Sequence, residues 1–221
     1  MLARALTPRT RQLRIAAASL VGCEPAPGAD VSLLVPGADA ALVERSYSVG
    51  GGSASQGSID VYVVLHAGGP GSDWAARAQV GDEVRFLRSP APVIELDHRA
   101  QAHLFFGDET SVASAQALAR AALAHAAPAT AWFEVRAAED QWPEDGLAAG
   151  ATAHWVLRRD RRGAALVEAL EAGPPLPKAA TAYVTGETRL CSLLRAFLVR
   201  ERAWAPERLR AFPYWKERQL S

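Results

Sequence analysis

The pattern of apolar residues changes near residue 100, and this change divides the chain into two parts. In the first part, short apolar runs are separated by glycine-rich turn signals, which predicts strands. The predicted strands are Gln12–Ala17, Val31–Val35, Ser46–Val49, Ile59–Leu65 and Glu83–Leu87. Because short strands at this spacing are typical of a small barrel, we predict an antiparallel β-barrel over residues 1–97.

The second part alternates strands with helices. The predicted strands are His103–Phe106, Ala131–Val135, His154–Leu157 and Ala182–Val184. The predicted helices between and after them are Val112–His125, Ala164–Ala172 and Thr188–Glu201. This alternation predicts a doubly wound α/β domain with a parallel sheet over residues 98–221.

Charge and composition exclude several classes of function. The chain has 24 basic and 24 acidic residues, and a net charge of zero disfavours nucleic-acid binding. Its two cysteines form no CxxC pair and its histidines no HxxxH pair, so we expect no metal site. No apolar run reaches the roughly 18 residues that span a membrane. The run Ile15–Gly22 before Cys23 imitates a lipoprotein leader, but an N-terminal strand pair fits better, and we expect a cytoplasmic protein.

The segment Arg45-Ser46-Tyr47-Ser48 lies on a predicted strand of the barrel. Side chains alternate along a strand, so Arg45 and Tyr47 point to one side and are able to serve one ligand together. A guanidinium group suits a phosphate, and a tyrosine ring suits the face of a flat heterocycle. The alternative is a strand with an exposed arginine and a packed tyrosine.

The next segment, His66 to Trp74, follows a strand and opens a predicted helix at Ser72–Ala78. Glycines allow the backbone to approach an anion closely, and the start of a helix offers unpaired N–H groups. With the hydroxyl of Ser72, the segment is a candidate pyrophosphate site. The alternative is a tight turn in which Ser72 is an ordinary helix cap.

Two later segments join a strand to a helix through glycine and acidic residues. They are Gly107-Asp108-Glu109-Thr110 and Gly186-Glu187. Ligands of open α/β sheets bind at the carboxyl ends of the strands, so these loops are expected to face one crevice. Acidic residues at a helix start also serve as caps, which is the alternative. The aromatic tail Phe212–Trp215 is either part of this site or a docked terminus.

Taken in order, these five motifs resemble those of the siderophore-interacting proteins, from about Leu6 to Trp215. Members of that family are flavin-dependent ferric-siderophore reductases of the ferredoxin-reductase superfamily. The resemblance implies an FAD-binding barrel over 1–97 and an NAD(P)H-binding domain over 98–221. One departure is that the family usually has arginine where Gly50 follows Val49, and another is Pro213 in place of a glycine.

The resemblance also implies roles for individual residues. It places Arg45 on the FAD phosphate and Tyr47 and Ser48 against the isoalloxazine, with Val49 as a further cofactor-binding residue of the same strand. It places the glycine–serine turn on the pyrophosphate, with its flanking residues beside the cofactor: His66, Gly69, Pro70, Gly71, Ser72 and Trp74. The nicotinamide-side loop is formed by Gly107, Asp108, Glu109 and Thr110, with Gly186 and Glu187 nearby, and Trp215 is a further cofactor-binding residue.

The implied reaction passes electrons from NAD(P)H through FAD to the Fe³⁺ of a siderophore. The flavin performs this chemistry, so no catalytic protein acid or base is expected. The basic run Arg158–Arg162 suits an NADP 2′-phosphate or an anionic chelate, or it is a solvated loop. Two other functions stay open. One is a secondary-metabolite enzyme that uses the inter-domain pocket for a non-redox reaction such as a cyclisation; the other is a module that binds a flavin or chelate without turnover.

Overall fold

The computed structural model of the chain describes residues 2–37, 39, 41–89 and 91–217. The chain forms two compact units, Met1–Glu95 and Leu96–Ser221. Among the described residues, each unit contains one sheet. The first sheet is antiparallel and barrel-like and the second is parallel, as the sequence predicts.

Six strands and one helix form the first unit. The strands are β1 (Leu2–Thr7), β2 (Thr10–Ala16), β3 (Asp30–Pro36), β4 (Leu42–Ser53), β5 (Ser58–Val64) and β6 (Arg85–Arg88), in the order β1-β2-β5-β4-β3-β6. A 3₁₀ turn at Ala18–Leu20 follows β2. Helix α1 (Pro70–Arg77) packs against β2, β3 and β5. Its Ala75 joins the core that alternate residues of the strands form, such as Leu13, Val31 and Val61.

Strand β4 is three times the predicted length, because it begins earlier, at Leu42, and because the Gly50–Gly52 run continues the strand instead of ending it. Residues up to Ser48 pair with β3, whereas Val49 to Ser53 pair with β5. The register shifts between Val49 and Gly51, where β4 passes from one partner to the other. Glycine permits the close approach that this bend requires, since a Cβ at Gly52 would overlap the carbonyl oxygen of Ser58.

The second unit has five parallel strands in the order β11-β10-β7-β8-β9. They are β7 (His103–Asp108), β8 (Ala129–Val135), β9 (Thr152–Leu157), β10 (Thr181–Glu187) and β11 (Leu209–Trp215). The helices are α2 (Val112–Ala124), α3 (Ala164–Ala172) and α4 (Thr188–Ala196), the last continued by a π-helical turn at Phe197–Glu201. Short 3₁₀ turns lie at Ala138–Asp140, Glu144–Gly146 and Pro206–Arg208.

The order of the second sheet creates a switch point beside β7. From β7 the chain runs through α2 to β8 and β9 on one side, and then through α3 to β10 and β11 on the other. The carboxyl ends of β7 and β10 therefore flank the place where open α/β sheets bind their ligands. The core on the side of α3 and α4 contains Phe106, Val184 and Leu190.

Candidate functional site

In the first unit, Arg45 and Tyr47 share one face of β4, as predicted. Their partners across the sheet, Leu33 and Val31, are fully buried core residues. Ser46 points the other way, and its hydroxyl lies 2.9 Å from that of Ser32. Arg45 is exposed and donates a hydrogen bond to the carbonyl oxygen of Glu44, whereas Tyr47 is half-buried. Burial raises the pKa of Tyr47 to about 12, so its phenol stays protonated.

The start of α1 is connected to the end of β5 by a side chain. The backbone N–H of His66 donates to the Ser72 hydroxyl at 2.7 Å. Gly69 occupies the N-cap position and makes no side-chain cap, so Ser72 is not the helix cap that the alternative interpretation required. The N–H groups at the start of a helix have no acceptor within it, and here Gly71 and Ser72 carry them.

Two glycines bring this turn close to the side chains around it. A Cβ at Gly71 would overlap the Tyr47 hydroxyl and lie 3.3 Å from Cγ of Arg45. A Cβ at Gly69 would overlap the imidazole of His66. The structure thus brings together the predicted arginine–tyrosine strand and the predicted glycine–serine turn.

The other predicted residues of this unit have different surroundings. Ser48 lies opposite Asp30, on the other face of β4 from Tyr47. The side chain of Val49 is buried in the core of the first unit, so it is not available to contact a ligand. Pro70 is the first residue of α1, a position where its missing N–H costs no hydrogen bond. Trp74 is half-buried against the core.

In the second unit, Asp108 joins the two predicted loops. Its carboxylate accepts two hydrogen bonds from Thr110, one from the backbone N–H at 2.9 Å and one from the side-chain hydroxyl at 2.5 Å. It also accepts one from the N–H of Glu187 at 2.9 Å. Its fourth donor is the indole N–H of Trp215, at 3.1 Å. Burial raises the pKa of Asp108, the charge of Glu109 raises it further, and the bonds from Thr110 oppose both. The two loops therefore meet at one edge of the sheet, as predicted.

Glu187 caps helix α4. Its carboxylate is fully buried and accepts from the N–H groups of Arg189 at 2.6 Å and Leu190 at 3.2 Å. This arrangement is the capping role that the sequence analysis gave as the alternative. Gly186 has φ of +112°, a conformation that favours glycine, and a Cβ there would lie 2.8 Å from the carboxyl carbon of Asp108. At Gly107, a Cβ would overlap the side chain of Ser111.

Glu109 forms an ion pair with Arg158, which also donates to Glu134 at 3.1 Å. Glu134 in turn accepts from the N–H of Gly163 at the start of α3, at 2.9 Å. Burial lowers the pKa of Arg158, but the two carboxylates outweigh burial and the net shift is upward. Sequence reasoning missed Glu134, although its place at the carboxyl end of β8 was a usable signal.

The basic run 158–162 is mostly neutralised by acidic partners. Arg159 pairs with Glu168 at 2.7 Å, and Arg162 pairs with Glu217 at 3.2 Å. The Arg162 guanidinium also lies 4.8 Å from the centre of the Trp215 ring. The aromatic tail is part of β11 and pairs with β10 along its length, so it is a strand and not merely a docked terminus.

Within the part of the chain that the structure describes, no group of three or more ligating side chains is placed to hold a metal ion. Across those same residues, none of the helices has both the length and the apolar character needed to cross a membrane.

Comparison with known proteins identifies relatives for both units. A family model described as siderophore-interacting protein matches residues 100–218, and one described as siderophore-interacting FAD-binding domain matches residues 14–92. Ferric vibriobactin reductase ViuB of Vibrio cholerae is 28% identical over 184 residues. That alignment covers 79% of this chain, and the chain spans only 65% of the length of ViuB.

Solved structures share the fold. The siderophore-interacting protein SipS from Aeromonas hydrophila has a TM-score of 0.80 at 22% identity, over 98% of this chain and 89% of that one. A siderophore utilization protein from T. fusca has a TM-score of 0.80 at 25% identity, over 100% and 91% of the two chains. Both units therefore have the ferredoxin-reductase-like fold. Since the first family model alone covers more than half of the chain, this chain belongs to the siderophore-interacting protein family.

Proposed function

We propose that the chain is an FAD-dependent reductase that passes electrons from NAD(P)H to the Fe³⁺ of a siderophore. The first unit would be the FAD-binding domain and the second the NAD(P)H-binding domain. The observation that carries the proposal is the contact between Tyr47 and Gly71, which sets the Arg45–Tyr47 face of β4 against the start of α1. Family membership and the reductase ViuB among the relatives support it.

The residues of the first unit fit the FAD pyrophosphate. Arg45 is exposed, and a guanidinium fork can donate two hydrogen bonds to a phosphate. The N–H groups of Gly71 and Ser72 and the positive end of the α1 dipole attract the same anion. Among the described residues, no heavy atom apart from those of its chain neighbours lies within 4 Å of the Cβ position of Gly68, so the turn has open space there for a ligand.

Bound FAD would supply the exchange between a two-electron donor and a one-electron acceptor. The protein's own residues would bind the FAD and orient it. Tyr47 would present its ring to the flat heterocycle, and its protonated phenol keeps the site free of a second negative charge. Reduction releases the iron because hard oxygen ligands hold Fe³⁺ far more tightly than Fe²⁺. The family assignment does not favour the non-redox alternative.

The first test is the visible spectrum of the purified protein with FAD, recorded before and after anaerobic addition of NADH or NADPH. We expect bound flavin, its bleaching by nucleotide, and recovery of the oxidised spectrum when a ferric siderophore is added. Trapping of the released Fe²⁺ by ferrozine measures turnover. Protein that takes up no FAD, or bound flavin that neither nucleotide bleaches, would contradict the proposal.

A matched pair of arginine variants tests the phosphate contact. Arg45→Ala is expected to weaken FAD binding by about tenfold or more, because it removes a hydrogen bond to a charged group. Arg88→Ala, at an exposed arginine on the edge strand β6, is the control and is expected to bind FAD like the wild type. Equal affinity of the two variants would show that Arg45 does not hold the phosphate.

A further inference from the structure

Asp108 is a fully buried carboxylate to which the proposed reaction gives no chemical role. Four groups contact its oxygens: the N–H and the hydroxyl of Thr110, the N–H of Glu187 and the indole N–H of Trp215. Three of them are N–H groups, which can only donate, so the carboxyl group must accept at least three hydrogen bonds. These contacts connect the carboxyl ends of β7, β10 and β11.

The shape of the chain around Asp108 fits this arrangement. The carboxylate fills the space next to Gly186, where a Cβ would come within 2.9 Å of either oxygen. Glycine at this position therefore allows the carboxyl end of β10 to approach Asp108 closely. The two motifs that the sequence analysis selected as ligand loops are thus complementary in shape to each other.

Trp215 is held on several sides. Asp108 binds the edge of its indole, and Arg162 covers one face of the ring. Its backbone carbonyl accepts from the Thr188 hydroxyl at 2.9 Å. The residues that follow Trp215 are held as well, because the N–H of Glu217 donates to the Glu187 carboxylate at 3.3 Å. The indole therefore has one defined position beside the ends of β7 and β10.

This position is the switch point of the second sheet, where open α/β sheets bind their ligands. We propose that Asp108 is the positioning residue of the nucleotide site: by fixing Trp215 and the carboxyl end of β10, it sets the shape of the surface that receives NAD(P)H. The inference rests on the proposed function, since it concerns the nucleotide that the reductase would use.

Asp97 is the matched control for a merely structural role. It is also a hydrogen-bonded carboxylate of the second unit, and it accepts from the Thr181 hydroxyl at 2.7 Å and the N–H of Arg99 at 3.1 Å. Thr181 begins β10, so Asp97 lies at the amino edge of the same sheet, away from the switch point. Asp97→Asn is therefore expected to affect stability without affecting nucleotide binding.

The test compares Asp108→Asn, Trp215→Phe, the double variant and Asp97→Asn. Each oxygen of Asp108 accepts two of the four bonds, so the asparagine amide, which puts an NH₂ group in place of one oxygen, leaves at least one N–H group without its acceptor. We expect Asp108→Asn to raise the dissociation constant for NADPH or NADH by about tenfold, from the dependence of flavin reduction on nucleotide concentration. FAD affinity should stay within twofold of the wild type. Trp215→Phe should show a smaller rise, and the double variant should be no weaker than Asp108→Asn.

A second measurement needs no turnover. The chain has six tryptophans, and Trp215→Phe identifies the indole N–H signal of Trp215 in a ¹⁵N-correlated NMR spectrum. In Asp108→Asn this signal is expected to move and to exchange faster with water, while Asp97→Asn leaves it in place. Trp215→Phe deletes one donor only and keeps the test valid should Asp108→Asn fold poorly.

The outcomes separate the two proposals. Wild-type protein whose flavin neither nucleotide reduces overturns the proposed function and this inference with it. Wild-type protein that is reduced, with Asp108→Asn or Trp215→Phe keeping the wild-type dissociation constant, overturns this inference alone. Equal losses in Asp97→Asn and Asp108→Asn would assign Asp108 a merely structural role and overturn it as well.

Discussion

At the scale of single residues, Gly71 is required for more than the one reason that its motif suggests. The sequence predicts a glycine that lets the backbone approach a phosphate. The structure adds a second reason, because the Tyr47 hydroxyl occupies the place of a side chain at residue 71. This contact joins residues on different elements, so nothing in the local sequence could have revealed it.

Gly71→Ala tests this contact. The added methyl group must push Tyr47 away, and we expect FAD binding to weaken by about tenfold, in line with the usual cost of overpacking. Adding Tyr47→Phe removes the overlapping hydroxyl and should restore part of the affinity. Flavin fluorescence titration measures both effects, with Gly146→Ala as the control, because a Cβ there has only ordinary contacts. Wild-type affinity in Gly71→Ala would contradict the packing described here.

Residues of the candidate site could be predicted better than their roles. The sequence identified Arg45, Tyr47 and the turn from Gly69 to Ser72, and the structure brings them together. The acidic residues Asp108 and Glu187 were selected as ligand-side groups, yet the chain's own N–H groups surround both carboxylates. A motif gives residue types and spacing, but the partners of a buried carboxylate come from distant strands.

At the scale of elements, α1 depends on its surroundings. A helix of eight residues is too short to be stable alone. Its start is tied to His66 through Ser72, and Ala75 packs in the core. Its end is capped by Arg11 of β2, whose guanidinium donates to the carbonyl oxygens of Ala76 at 2.6 Å and Ala78 at 3.0 Å.

Arg11→Ala is therefore expected to lower the free energy of unfolding by about 1 kcal/mol, through the loss of charge-assisted bonds to the helix end. Because α1 would carry the phosphate-binding N–H groups, FAD affinity should fall as well, by a few-fold. Urea denaturation and flavin titration measure the two effects. The exposed Arg88→Ala serves again as the control, and a loss of the same size in that variant would argue against a cap.

Edge strands were the hardest to predict from the sequence. Strand β1 was expected as part of an N-terminal strand pair, without bounds, and β11 was not predicted as a strand. Among the described residues each pairs with a single neighbour, β2 or β10, so neither needs the continuous apolar run by which a buried strand is recognised. Pro213 in β11 is also a poor strand former, yet proline is tolerated at an edge. Buried strands such as β3 and β5 were placed to within two residues, because both keep a strong apolar pattern.

At the scale of the whole molecule, the balanced charge gives no strong net repulsion near neutral pH. The pH dependence of stability must then come from particular buried groups. His103 is 2% exposed, and its ring nitrogen lies 3.2 Å from the Tyr183 hydroxyl. Burial lowers the pKa of His103; Asp97 opposes the shift, and His98 and Arg210 add to it.

The direction in which stability changes with pH follows from this lowered pKa of His103. An unfolded histidine titrates near 6.5, so below that pH the unfolded chain takes up a proton before the folded one does. Stability is thus full above 6.5 and is lost as the pH falls through the lower folded pKa. We expect wild-type protein to lose about 1 kcal/mol between pH 7.5 and 5.5.

Urea denaturation followed by circular dichroism at the two pH values measures this loss. His103→Gln should flatten the dependence, whereas His125→Gln, at an exposed histidine, should leave it unchanged. An identical slope in His103→Gln and the wild type would assign the dependence to other groups.

The fit between Gly186 and Asp108 has a consequence for how sequences of this kind diverge. A side chain at 186 is blocked while the carboxylate is present, and loss of the carboxylate leaves a void beside the glycine and three N–H donors without an acceptor. Neither site can change first without harm, so mutations at the two positions should be accepted in descendants only as a pair.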